Sequence, residues 1–159
     1  MTRNDLRELN VFSKGFTEQD CKDMCMNCFG FAFGVSDWLL LKIDLWHGKK
    51  INQLKNFYRN ANKIVDTFDC RICSLNEPLA KDEYRVAFRF SKNYPDFHFM
   101  RQLKCGQWIH KQGACNVEKK PKNFNVLAPW KRDDGNSYDS PIVFFAVKAK
   151  NFSEYDCEW

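Results

Sequence analysis

Apolar side chains recur along this chain with two different periods, and the change from one to the other falls near the middle. Ile51, Leu54, Phe57, Tyr58, Ala61, Ile64, Val65 and Phe68 are spaced by three and four, the stripe that an amphipathic helix turns toward a core. From Asp82 the period shortens to two: Tyr84, Val86, Phe88 and Phe90 alternate with Arg85, Ala87 and Arg89, the pattern of a strand. Residues 97–103 and 107–110 flank Lys104-Cys105-Gly106, which predicts two strands joined by a tight glycine-containing turn. Residues 141–147 read as a final buried strand, preceded by a loop-rich insertion over 121–139 that carries Pro129, Gly135 and Asn136.

The N-terminal part is less regular. Residues 1–16 are polar and read as an arm, and Thr17-Glu18-Gln19-Asp20 has the form of a helix start, predicting a short helix or turn over 18–26. Asn27-Cys28-Phe29-Gly30-Phe31-Ala32-Phe33-Gly34 then opens an apolar run that continues through Trp38, Leu39, Leu40 and Leu41. It is too long for a strand and reads as a buried helix with Asn27 as its N-cap. Neither a repeat of 20–50 residues nor a low-complexity tract is present. With helices first and strands last, the pattern predicts an α+β domain with an antiparallel sheet.

Composition narrows the class. The 159 residues suit one domain spanning 1–159, and 44% hydrophobic against 28% charged residues excludes a disordered chain. The longest near-apolar run, 35–45, is broken by Asp37, Lys42 and Asp44, well short of the roughly 20 residues that span a bilayer. The first eight residues, Met-Thr-Arg-Asn-Asp-Leu-Arg-Glu, carry no apolar stretch behind their charges, so the expectation is a cytoplasmic protein without a secretory signal and without a membrane partner. A net charge of +5 falls short of the clustered excess of a nucleic-acid binder. Lys119-Lys120-Pro121-Lys122-Asn123-Phe124 and Trp130-Lys131-Arg132 interleave bases with aromatics, but read as solvated loops. Eight cysteines without an export signal predict reduced thiols, and direct attention to thiolate chemistry or metal binding. Spacing leaves open whether Cys105 and Cys115 pair. The sequon Asn151-Phe152-Ser153 lacks the secretory route that glycosylation needs.

A cysteine becomes a nucleophile when its thiolate is stabilised, and the start of a helix does this through its free N–H groups. Cys28, just after Asn27, is placed for it. A general base is then needed among three histidines, His47, His98 and His110. His47 lies at a predicted helix C-terminus, where a charged imidazole is favourable on structural grounds alone. His98 begins the first hairpin strand and His110 ends the second, so antiparallel pairing brings both to one end of the ribbon. His98 can then act as base while His110 holds its far nitrogen, as the third member of a triad does. Phe99 and Trp108 alternate on the same hairpin, which suits core packing or a pocket wall.

Asn27-Cys28-Phe29-Gly30-Phe31 resembles the Asp-Cys-Ser-Gly-Phe box of the NlpC-type papain-fold peptidases, and His98 to His110, with Gly106-Gln107-Trp108-Ile109-His110, is similar to their hairpin. The motifs cover about 25 residues and keep the order cysteine before histidines. The lecithin retinol acyltransferase-like relatives have the reverse order. Parts of the hairpin also resemble small bacterial and viral proteins with an Asn-Cys-Tyr box. The resemblance implies a papain-like fold, with Cys28 as nucleophile, His98 as base, His110 as orienting residue and no cofactor. It further implies a cysteine hydrolase of peptide or isopeptide bonds, in the NlpC-type enzymes those of the bacterial cell wall; without an export signal the expectation here is a cytoplasmic, viral or phage-encoded variant that acts on a host protein or on itself. Asn27 and Phe29 depart from the box, and no upstream Tyr completes the oxyanion hole, which leaves the Cys28 N–H as its named donor.

Two other classes remain open on the sequence. Cys25-x-x-Cys28 and Cys70-x-x-Cys73 could close a tetrahedral zinc site in a binding module, although 41 intervening residues exceed the usual gap. Zinc on Cys28 would exclude attack by its thiolate. The other is a papain-fold interaction protein without catalysis.

Overall fold

The computed structural model describes residues 26–35, 39, 41, 50–93, 96–113 and 115–149. Among the described residues two helices, α1 (Cys28–Phe33) and α2 (Lys50–Thr67), precede eight strands: β1 (Cys70–Cys73), β2 (Glu83–Phe90), β3 (Phe97–Gln102), β4 (Trp108–Lys111), β5 (Val117–Lys119), β6 (Trp130–Lys131), β7 (Ser137–Tyr138) and β8 (Val143–Lys148). Six strands form one antiparallel sheet in the order β1-β8-β2-β3-β4-β5, and β6 pairs with β7 separately. The class is α+β, as the sequence predicts. The proposed arm, the helix start at 17–20, His47 and the sequon lie outside the described residues. No described helix is long and apolar enough to cross a membrane.

The central strand β2 is buried on both faces because both are covered. Tyr84, Val86, Phe88 and Phe90 meet the helices, through Phe29 and Phe33 of α1 and Phe57, Ala61 and Ile64 of α2. Ala87 lies on the other face with Met100, Trp108 and Phe144. That second face is covered by the segment read as a loop-rich insertion: Val126, Trp130 and Tyr138 pack onto it. The segment is a second layer, held by a tight hairpin in which Gly135 takes φ +82° and Arg132 N–H donates to Asn136 O at 2.8 Å. Trp130 is therefore buried, with its indole N–H on Val126 O, and is no stacking platform for a base. Phe99 and Trp108 are both core residues, one on each face.

The helix stripe holds at Phe57, Ala61 and Ile64, which are buried, whereas Leu54 and Tyr58 are exposed. Tyr58 sits about 100° round the helix from Phe57, at the margin of the stripe.

α1 departs most from the reading. Asn27 caps it as expected, its Oδ1 accepting from Gly30 N–H at 3.1 Å. The helix stops after six residues and does not run on to Leu41. Gly34 adopts the left-handed conformation at φ +67°, and Val35 N–H returns to Gly30 O at 2.9 Å, a closure that satisfies the last carbonyls. Asn27 also binds Leu39, donating to its carbonyl at 2.6 Å and accepting from its N–H at 3.3 Å. Chain that would have extended the helix is thus tied back across its start. A Cβ on Gly34 meets nothing within 4 Å, so Gly34→Ala is expected to cost only the conformational penalty, about 1 kcal/mol. A urea-melting midpoint unchanged by the substitution would contradict this.

Candidate active site

The start of α1 is fastened to β3 by aromatic rings. Phe29 stacks on Phe99 at 4.7 Å between centroids, and Phe99 stacks in turn on Phe88 at 4.5 Å. Cys28 precedes Phe29, and His98 precedes Phe99. The stack therefore brings the two candidate residues to one place from opposite layers: Cys28 belongs to the helical core, while His98 faces the second layer, stacked on Tyr138 at 5.1 Å and edge-on to Trp130 at 6.1 Å. The β3–β4 ladder pairs only Arg101 with Ile109 and Gln102 with Trp108. Beyond Arg101, toward His98, the strands carry no further paired residues, and a cavity of about 430 Å³ at that end is lined by both Cys28 and His98.

The two histidines meet as the hairpin predicts. With Gln102 opposite Trp108, His98 and His110 stand diagonally on one face, and His98 Nε2 lies 2.8 Å from His110 Nδ1. On the next strand Glu118 is directly opposite His110, its Oε2 3.5 Å from His110 Nε2. That distance is an electrostatic contact rather than a hydrogen bond, and it favours one tautomer over the other. A carboxylate beside Nε2 favours a proton there, so His110 Nδ1 is the acceptor and His98 Nε2 the donor. His98 Nδ1 then carries a lone pair, the feature a general base requires.

Burial holds the thiol and the two imidazoles uncharged. Burial pushes the Cys28 thiol up to about 12, the main-chain N–H groups of Phe99, Phe29 and Cys28 itself pull it back, and the nearby Asp96 carboxylate adds to the rise. Burial lowers His98 well below the usual imidazole value, helped by His110, Lys120 and Arg132. Burial, then Lys120, takes His110 down to about 4. The resting pair is thus thiol and neutral imidazole. The expected helix-stabilised thiolate is overridden because desolvation outweighs the N–H groups of a six-residue helix. Among the described residues the thiol makes no hydrogen bond to His98.

The rest of the lining was not legible as site residues. Asp96 accepts from Phe97 N–H at 2.9 Å and from Tyr138 Oη–H at 2.8 Å, and is paired with Arg132. Arg132 also holds Asp134 at 3.0 Å. Arg132, Asp134 and Tyr138 come from the second layer, where the Asp134-Gly135 turn was the available signal. Gln112 and Gly113 form the wall beyond β4, and the buried Lys111 ammonium holds that turn through the carbonyls of Gly113 and Cys115 at 2.9 and 2.7 Å.

The four-cysteine set does not converge as a knuckle. Cys70 packs toward the helical layer and Cys73 toward the second one, because positions three apart on a strand face opposite sides; Cys25 lies outside the described residues. Among the described residues no three His, Cys, Asp or Glu side chains are grouped to hold a metal. Cys105 and Cys115 are exposed thiols at opposite ends of the four-residue β4. A strand of that length spans about 13 Å, beyond the reach of a disulfide. No family model, no curated protein and no solved structure matches this chain, so the reading of the site rests on its own geometry.

Proposed function

We propose that this protein is a cysteine-dependent amide hydrolase of papain-like architecture, acting on peptide or isopeptide bonds through a Cys28 thioester. The observation that carries the reading is the buried His98–His110 contact of 2.8 Å beside a cavity that His98 shares with the thiol. In the reaction, His98 Nδ1 takes the thiol proton as sulfur bonds to the carbonyl carbon, and the carbonyl oxygen becomes an oxyanion. Collapse breaks the carbon–nitrogen bond, and His98 returns the proton to the leaving amine. Water then attacks the thioester, giving its proton to His98, and the second collapse releases the acid and restores the thiol. His110 positions His98 throughout and stabilises its transient positive charge.

The Cys28 N–H is one oxyanion donor. Asn27 lines the same cavity, but its amide is held in place by Gly30 and Leu39, with Oδ1 accepting from both and one of its two N–H donors spent on the Leu39 carbonyl. Gln112 is the remaining amide side chain in the lining, and it makes no side-chain hydrogen bond among the described residues. Gln112→Ala is expected to lower kcat about 100-fold with KM little changed, measured on any amide the enzyme cleaves. A loss confined to KM would remove Gln112 from this role.

The test is alkylation with iodoacetamide at pH 7.5, followed by mass mapping. With its pKa near 12, Cys28 would be thiolate in roughly one molecule in ten thousand or fewer. Unassisted, it must react far behind the exposed Cys105 and Cys115. Labelling of Cys28 at a rate matching theirs supports a base at the thiol; labelling slower by the full thiolate ratio sinks the hydrolase. The second outcome would favour a papain-fold interaction protein without catalysis, a reading that the burial of Cys28 at 6% exposure supports.

A further inference from the structure

The hairpin of the second layer meets the sheet at His98. β6 and β7 pair Trp130 with Tyr138, and both members of that pair touch the imidazole. Tyr138 lies face to face with it, the centroids 5.1 Å apart and the planes within 19°, and Trp130 meets it edge-on. All three rings are buried. The hydrogen bond from His98 Nε2 to His110 Nδ1 fixes one atom of the imidazole, but a single bond leaves the ring free to rock about it. Contact on the ring face removes that freedom. The stack therefore sets the direction in which Nδ1 is presented, and Nδ1 makes no hydrogen bond among the described residues.

Tyr138 is itself fixed. Its hydroxyl donates to Asp96 Oδ2 at 2.8 Å and accepts from Arg132 Nη1 at 3.1 Å, while Asp96 Oδ1 is anchored by the Phe97 N–H at 2.9 Å. Burial and the Asp96 carboxylate raise the pKa of the phenol, so it keeps its proton and donates. The charges around His98 define what the ring face adds. Lys120 and Arg132 both oppose a positive charge on His98. Arg132 also approaches the Tyr138 ring, at 5.4 Å, but is matched by Asp96 and Asp134. The face of Tyr138, negative by its quadrupole and bonded at its hydroxyl to a carboxylate, is a neighbour that favours an imidazolium over a neutral ring.

We propose that Tyr138 is a second positioning residue for His98: its ring fixes the plane of the imidazole and stabilises the positive charge that His98 carries once it has taken the thiol proton. This rests on the reading of Cys28 as nucleophile and His98 as base. The experiment is the rate of Cys28 alkylation by iodoacetamide in the full chain, with Cys105 and Cys115 as internal references. Tyr138→Leu, which removes the ring face, is expected to slow Cys28 by about 3- to 30-fold. Tyr138→Phe, which returns the face without the hydroxyl, should recover most of that loss. Progressively fluorinated phenylalanines placed at 138 keep the ring shape while draining its face of negative charge, and the Cys28 rate should fall with each added fluorine. That series also serves where Tyr138→Leu fails to fold. A wild-type rate in folded Tyr138→Leu, equal slowing in Tyr138→Phe, or a rate indifferent to fluorination would overturn the role of Tyr138 and leave that of His98 standing. Should His98→Ala itself leave the Cys28 rate intact, the base is lost and the role of Tyr138 falls with it.

Discussion

Replacing His98 with Ala is expected to slow the reaction of Cys28, with an amide or with iodoacetamide, by about 100- to 10,000-fold at neutral pH. The magnitude follows from the resting charge state. A thiol whose pKa burial has raised to about 12 supplies almost no thiolate, so its reactivity depends on a base that removes the proton as the new bond forms. In the proposed mechanism His98 is that base: its own pKa, held well below the usual value, leaves it unprotonated across the physiological range and so able to accept a proton, although a weaker base for it. The pH profile gives a second readout. Base-assisted attack is flat from about pH 7 to 9, where both thiol and neutral imidazole persist, whereas attack by free thiolate rises about tenfold per unit. The exposed Cys105 and Cys115 serve as internal references for a folded variant. A tenfold-per-unit slope in the wild type, or an unchanged Cys28 rate in His98→Ala with the references intact, would remove His98 from the mechanism.

Acid should unfold this protein earlier than its carboxylates alone require. His98 and His110 are both depressed by burial, so the folded state binds fewer protons than the unfolded one. The stability each contributes is complete above the unfolded value of 6.5 and is lost as pH falls through the folded value. For His110 that window runs from 6.5 to about 4, a difference on the order of 3 kcal/mol at about 1.4 kcal/mol per unit. His98 adds to the loss in the same direction. Against a total of about 5–15 kcal/mol for a domain, the urea midpoint should fall steeply between pH 6.5 and 4. Replacing both histidines with Leu, which cannot take up a proton, should flatten that slope. A midpoint constant over this window in the wild type would contradict the buried neutral pair.

The elements that were legible are those specified by neighbours in the chain. Phe57, Ala61 and Ile64 announce α2 by their spacing, Asn27 announces its own cap, and Gly106 in a turn between two apolar runs announces the β3–β4 hairpin. The meeting of His98 with His110 followed from that turn, because antiparallel register is simple arithmetic once the turn is placed. The length of α1 was misread because hydrophobicity continues past Gly34 while the backbone does not. The left-handed residue ends the helix, and Asn27 then hydrogen-bonds both main-chain groups of Leu39. The segment over 121–139 was misread because turn residues dominate its composition. Its apolar side chains Val126, Trp130 and Tyr138, with Phe124 partly buried beside them, nevertheless pack onto one face of the sheet.

What the amino-acid order determined by itself is the α+β class, the capped residue Cys28 and the two imidazoles that share a hairpin face. These depend on interactions a few residues long or on one turn. The tertiary structure alone decided that Cys28 and His98 share a cavity, that Glu118 stands behind His110, that Asp96 and Arg132 line the same cavity, and that both thiol and imidazole are uncharged. Charge state in particular is a property of the surroundings: burial removes water from a group through contacts made by segments distant in the chain, and the free energy of that desolvation exceeds what a short helix start supplies.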